Sequence, residues 1–153
     1  MLGGPVVEPE LAMGPLVAVS RSGVRASAGA GTLAEDEHGR AQFAFDARWL
    51  RALTATPSER LTMIRVDGDS MSPTLNAGDD ILVDHDDPGA GLRDGIYVLR
   101  VDGALHVKRL AVHPFGGRVT VQSDNPTYPD WPDRGLEELS CIGRVIWAGR
   151  RIS

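Results

Sequence analysis

The sequence predicts a mainly β fold, and three features predict it. Eighteen glycines and 10 prolines in 153 residues ask for many tight turns. From Leu61 onward, apolar and β-branched runs follow one another, each bounded by turn-forming residues. Only one short stretch repeats its apolar residues at helical spacing. The length fits one domain, and 42% hydrophobic with 24% charged residues fits a chain that folds.

Residues 1–15 are rich in Gly and Pro without usable periodicity and read as a flexible lead-in, leaving 16–153 as the domain. Leu16 to Arg25 reads as extended, and it runs into the small residues Ala26 to Gly31, a segment with little to bury and expected to be exposed. Asp46 is suited to cap a short helix in which Trp49, Leu50 and Leu53 share one face, ending near Thr54 to Pro57. Strands are then expected at Leu61 to Val66, Ile81 to Asp84, Ile96 to Val101, Ala104 to Leu110, Arg118 to Gln122 and Ile142 to Trp147. Asp102-Gly103 predicts a two-residue type I′ hairpin, because both central positions need positive φ. Asp124-Asn125-Pro126 and Pro129-Asp130-Trp131-Pro132 read as loops.

Charge and cysteine usage exclude several functions. A net charge of −5 is the wrong sign for a surface that must neutralise phosphates, so direct nucleic-acid binding by this chain is disfavoured. Cys141, the single cysteine, supplies neither an intramolecular disulfide nor a zinc site. No basic residue precedes Arg21, so a secretory leader is not expected, and no apolar run approaches the ~20 residues needed to cross a bilayer. A cytoplasmic protein without membrane contact is expected. The acidic run Asp79, Asp80, Asp84, Asp86 and Asp87 around His85 is expected to be a solvated turn rather than a metal site. His38, His85, His106 and His113 form no convincing catalytic pattern with serine and aspartate, although His106 could border a site. Trp49, Trp131 and Trp147 read as core or interface anchors, and Cys141 as a small buried hydrophobe. No cofactor or metal is implied.

The chemistry concentrates in two places. Ser70 lies between a strand and a Pro-containing turn, where its hydroxyl can stand clear of the backbone, although serines in such turns mostly satisfy local backbone groups. The Asp102-Gly103 hairpin sets Val101 opposite Ala104, Leu99 opposite His106 and Tyr97 opposite Lys108. Lys108 thus shares a face with Tyr97, Leu99, Val101 and Ala104. Desolvation among such neighbours lowers a lysine's pKa, the condition for a general base near neutral pH. Lys108 is the only lysine, and the other fifteen basic residues are arginines, which do not deprotonate.

These residues carry a resemblance. The Gly68-Asp69-Ser70-Met71 segment with Pro73, Leu75 and Gly78-Asp79, the Gly95-to-Val98 and Val107-to-Leu110 strands, Ser123-Asp124-Asn125 and Gly143-Arg144-Val145 resemble the serine–lysine peptidase domain of LexA, phage cI-like repressors and UmuD over residues 24–150. The resemblance implies a β-ribbon fold of twisted antiparallel sheets, as in LexA and signal peptidases, with one short helix. It implies Ser70 as nucleophile and Lys108 as its base, with the Asp69 and Ser70 backbone N–H groups as oxyanion donors. It implies self-cleavage at an Ala-Gly bond within 24–33, either Ala28-Gly29 or the competing Ala30-Gly31, and small side chains there suit a narrow site.

By the same resemblance the chain is the C-terminal regulatory domain of a bacterial or phage repressor in an SOS-type response. It would form a homodimer, be stimulated by a RecA–single-stranded DNA filament, and contact DNA only through an N-terminal helix-turn-helix domain absent from residues 1–153. A UmuD-like accessory protein of a translesion polymerase and a non-cleaving dimerisation module are the alternatives.

Overall fold

A computed structural model describes residues 14–21, 26–28, 42–86 and 91–152. The described residues form ten strands, β1 (Leu16–Ser20), β2 (Ala26–Ala28), β3 (Gln42–Asp46), β4 (Leu61–Gly68), β5 (Asp80–Asp84), β6 (Gly95–Val101), β7 (Ala104–Val112), β8 (Arg118–Gln122), β9 (Trp131–Gly135) and β10 (Ser140–Gly149), one α-helix, α1 (Ala47–Leu53), and single 3-10 turns at Ser58–Arg60 and Leu136–Glu138. The mainly β expectation holds.

β1 and β3 form an antiparallel pair that leads directly into α1. Asp46 ends β3 and caps α1, its Oδ1 accepting the Arg48 and Trp49 amides at 2.9 and 3.1 Å. Such a cap contributes about 1 kcal/mol. Val19, Leu50, Leu61, Met63 and Leu82 form one core, against which Val17, Phe43, Phe45, Ile146 and Trp147 pack. Phe45 stacks on Trp49 at 5.2 Å, and Trp147 meets both rings edge-on. Leu16–Ser20 is extended as expected, with Val19 fully buried; one expectation is corrected on α1, where only Leu50 is buried while Trp49 and Leu53 reach solvent.

The other strands form a sheet in the order β2-β4-β5-β10-β6-β7-β8-β9. β2 runs parallel to β4 and also meets β7, which closes the six strands from β2 to β7 into a ring. All other strand pairings in this sheet are antiparallel. β6 and β7 join through Asp102 (φ 49°) and Gly103 (φ 80°), and their register is the predicted one. Gly143 has a physical reason: a Cβ there would stand 2.6 Å from Val83 Cγ1 and 2.7 Å from the Asp84 carbonyl oxygen.

β8 has the predicted limits, and the other predicted strands extend by one or more residues. The expected loop around Trp131-Pro132 is instead the start of β9, which lies at the sheet edge and pairs irregularly with β8. Proline lacks an N–H, which an edge strand tolerates.

Candidate active site

The Ser70 segment is a closed loop pinned at both ends. Gly68, at φ 79°, turns the chain out of β4, and Met71 and Leu75 sink into a core with Ile64, Val66, Val98 and Val107. The loop then returns to its origin, with the Gly78 N–H donating to the Val66 carbonyl and the Val66 N–H to the Asp79 carbonyl, both at 2.8 Å. Asp79 is buried and accepts both arms of the Arg150 guanidinium at 2.9 and 2.8 Å. Within 68–79, therefore, Gly68 turns the chain, Met71 and Leu75 anchor it, and Gly78-Asp79 close the loop.

Ser70 is fully buried, and Lys108, on β7, is 5% exposed. Lys108 Nζ lies 3.4 Å from Ser70 Oγ and 2.8 Å from the buried Ser123 Oγ. Its remaining surroundings are aromatic faces, with the Trp131 centroid at 5.4 Å and that of Tyr128 at 5.9 Å. No ion pair to Lys108 occurs among the described residues. Burial lowers its pKa, and the Asp130 carboxylate opposes the shift only in part. The ring faces favour the ammonium by about 1 kcal/mol each, but desolvation dominates. His106 sits edge-on to Trp131 at 6.4 Å, and its pKa is lowered by burial and then by the Lys108 charge, against Asp102.

Residues 123–130 form the other wall. The Asn125 side chain donates to the Asp69 carbonyl at 3.0 Å, and its main-chain N–H donates to the Ser70 carbonyl at 2.9 Å. The Tyr128 hydroxyl donates to Asp69 Oδ1 at 2.5 Å, which raises the phenol's pKa. Arg109 grips Asp124 with two bonds of 2.7 Å, which holds that carboxyl below its ordinary pKa.

The backbone of β2 reaches this site. Ala28 is in register with Gly68, two residues before Ser70, and Ser27 pairs with both Asp67 and His106, the latter two residues before Lys108. Gly29, Ala30 and Gly31 lie outside the described residues, as do residues 1–13 of the expected lead-in, His38 and Asp87.

The family profile described as Peptidase S24-like matches residues 16–146. The chain belongs to this S24-like peptidase family, the superfamily of LexA, cI and UmuD. A 26 kDa repressor protein of Escherichia phage HK022 is 38% identical over 128 residues, covering 80% of this chain and 53% of the relative. The HTH-type transcriptional regulator PrtR of Pseudomonas aeruginosa is 34% identical over 129 residues, covering 81% of this chain and 49% of the regulator. The chain therefore spans about half the length of these relatives. The S24-like domain has a serine-peptidase-type fold.

Sequence reasoning missed Ser123 as a partner of Lys108, and with it the contacts of Asn125 and Tyr128. The first was within reach: β7 and β8 pair Arg109 with Gln122, and one step further along that register Lys108 comes opposite Ser123. The acidic run is solvated only in part: Asp86 is exposed and Asp80 half-buried. Asp79 and Asp84 are buried, and Asp84 accepts the Thr54 hydroxyl at 2.6 Å and the Thr56 hydroxyl at 2.8 Å. Asp80 meets Arg21, and Asp86 meets Arg60. Among the described residues no group of three or more His, Cys, Asp or Glu could hold a metal, and no helix is long and apolar enough to cross a membrane. Cys141 is only partly buried, against the core of Tyr97, Leu99 and Leu110.

Proposed function

We propose that this domain is the regulatory part of a repressor that inactivates itself by cutting its own chain, with Ser70 as nucleophile and Lys108 as general base. The observation that carries the reading is a buried lysine, its pKa lowered by burial, whose Nζ lies 3.4 Å from a buried serine hydroxyl. That distance is long for a hydrogen bond, as resting-state catalytic contacts often are. The register of β2 with β4 and β7 supports Ala28-Gly29 as the bond, with Ala30-Gly31 as the competing choice.

Neutral Lys108 takes the Ser70 proton, and Oγ attacks the Ala28 carbonyl carbon. Negative charge gathers on the carbonyl oxygen, where the Asp69 and Ser70 N–H groups stabilise it. The carbon–nitrogen bond breaks as the Lys108 ammonium returns its proton to the Gly29 nitrogen. Water, deprotonated by Lys108, then hydrolyses the ester to leave a carboxylate at Ala28 and free Ser70.

One relative is named a repressor and the other an HTH-type transcriptional regulator, which favours a repressor over a polymerase accessory protein, and their extra length supports a DNA-binding region elsewhere in the full product. Dimerisation, stimulation by a RecA–single-stranded DNA filament in an SOS-type response and a cytoplasmic location complete the proposal. Intact-mass measurement of the purified chain at rising pH, with and without the filament, tests it. The expected product pair meets at Ala28-Gly29, and Ser70→Ala abolishes it. A native chain that stays whole under every condition, or a Ser70→Ala chain cut at the same bond, overturns it.

A further inference from the structure

Two peptide planes flank the nucleophile, and one residue from another loop grips both. Among the described residues the only cis peptide is Ser72-Pro73, so the Asp69-Ser70 unit is trans. In a trans peptide the C=O and N–H vectors point in opposite directions. A donor that fixes the Asp69 carbonyl therefore also aims the Ser70 N–H, on the far side of the same plane. Asn125 Nδ2 is such a donor, at 3.0 Å, and it shares the Asp69 carbonyl with the Ser72 N–H at 3.0 Å. The Asn125 main-chain N–H holds the next plane through the Ser70 carbonyl at 2.9 Å.

Asn125 is itself preorganised. Its Oδ1 accepts the Thr127 N–H at 3.0 Å and the Thr127 hydroxyl at 2.8 Å, which commits the amide group's other end to Asp69. Tyr128, three residues on, clamps the Asp69 carboxylate, so Asp69 is held at its carbonyl and at its side chain by the same loop.

We propose that Asn125 is a positioning residue for oxyanion stabilisation, setting the direction of the Ser70 N–H through the Asp69 carbonyl. The inference rests on the Ser70/Lys108 reading and adds to it a residue that touches neither the lysine nor the scissile bond. Aim matters because an oxyanion donor acts only when it meets the position the charge will occupy.

The test compares self-cleavage of the full chain and of Asn125→Ala across pH. The titratable groups facing Lys108 are His106, Tyr128 and Asp130, with Asp69 of the Ser70 turn held against the Tyr128 hydroxyl, and the substitution removes none of the four. The expected result is a plateau rate lowered about 10- to 100-fold, short of the 10²–10³ for outright loss of a donor. The pH midpoint stays where it is, because Lys108 keeps its burial. A general loosening of the site would instead rehydrate Lys108 and move the midpoint upward; that shift, or an unchanged plateau, overturns the proposal. Should Asn125→Ala fail to fold, Asn125→Asp keeps the acceptor for Thr127 and the main-chain N–H while losing the Nδ2 donor, and the same loss of plateau rate is expected. Amide exchange at Ser72, whose N–H shares the Asp69 carbonyl, provides a readout without cleavage: it rises in both variants, and unchanged exchange overturns the inference. Cleavage that survives Ser70→Ala instead sinks the dyad, so the two failures are distinguishable.

Discussion

The buried carboxylates and the buried lysine among the described residues are surrounded in opposite ways. Around Asp79 and Asp84 each carboxylate meets a complementary group: the fork of Arg150 for one, the hydroxyls of Thr54 and Thr56 for the other. Around Lys108 the ammonium meets two serine oxygens and two ring faces, with no carboxylate in contact among the described residues. A buried charge that is fully matched holds the structure, whereas one left short of its counter-charge gives up its proton more readily. Asp79 staples the ends of the Ser70 loop, and Asp84, at the far end of β5, holds the turn after α1; Lys108 belongs to the proposed catalytic pair. The contrast shows in the direction of the shifts: Arg150 holds the Asp79 carboxyl below its ordinary pKa, favouring the charged form, while burial lowers Lys108 and disfavours it.

The largest test of this contrast is Lys108→Met, which should end self-cleavage altogether yet raise thermal stability at neutral pH. The sign follows from linkage. A lysine lowered in the folded state binds fewer protons there than in the unfolded chain, so its burial costs stability below the folded pKa, and the cost fades as pH rises toward ~10.4. The melting-temperature gain of the variant, a few degrees for about 1 kcal/mol, should therefore shrink in alkaline buffer. A lower Tm at pH 7 would break the comparison.

Next in size, Asp84→Ala should cost about 2–3 kcal/mol in denaturant unfolding, since it strips the acceptor from two threonine hydroxyls. The surviving folded protein should cleave with an unchanged pH midpoint. Asp79 adds a pH signature. Its lowered pKa contributes stability that is present above ~3.9 and lost as pH falls through the folded value, so Asp79→Asn should flatten the acid limb of a stability profile.

Ser123→Ala has a smaller and more diagnostic effect. Its Oγ favours the ammonium over the amine, so removing it should move the cleavage midpoint to lower pH, by several tenths of a unit to about one unit. A midpoint that moves upward would assign the lowered lysine pKa to something other than burial. The smallest change is expected at Phe115, 86% exposed between β7 and β8, where Phe115→Ser should stay within about 0.5 kcal/mol and leave cleavage alone.

How much of this was legible in the sequence depends on how local the cause was. The Asp102-Gly103 turn needs nothing beyond its two residues, and it carries the register of Lys108 with it. The Asp46 cap is local too. β9 was hidden because Pro132 reads as a breaker until the strand is known to sit at an edge, and β3 because its partner β1 lies more than twenty residues away in the chain. The burial of Asp79 depends on Arg150, 71 positions further on, and no spacing rule links them. Ser70 and Lys108 stood out by residue type, one in an unusual turn and one as the single lysine. Asn125 and Tyr128 did not, since their meaning comes only from the loop they hold.

The short strand β2 has one more implication. It lies alongside β4 and β7, next to the segments that carry Ser70 and Lys108, and it also completes the ring of strands. If the proposed cut falls just beyond β2, the new end would stay paired with β4 and β7 and hold its place beside Ser70 ahead of any other chain. Such a molecule counts to one. The cell would then read the signal as a number of broken molecules rather than as a rate, and could reset it only by making new protein.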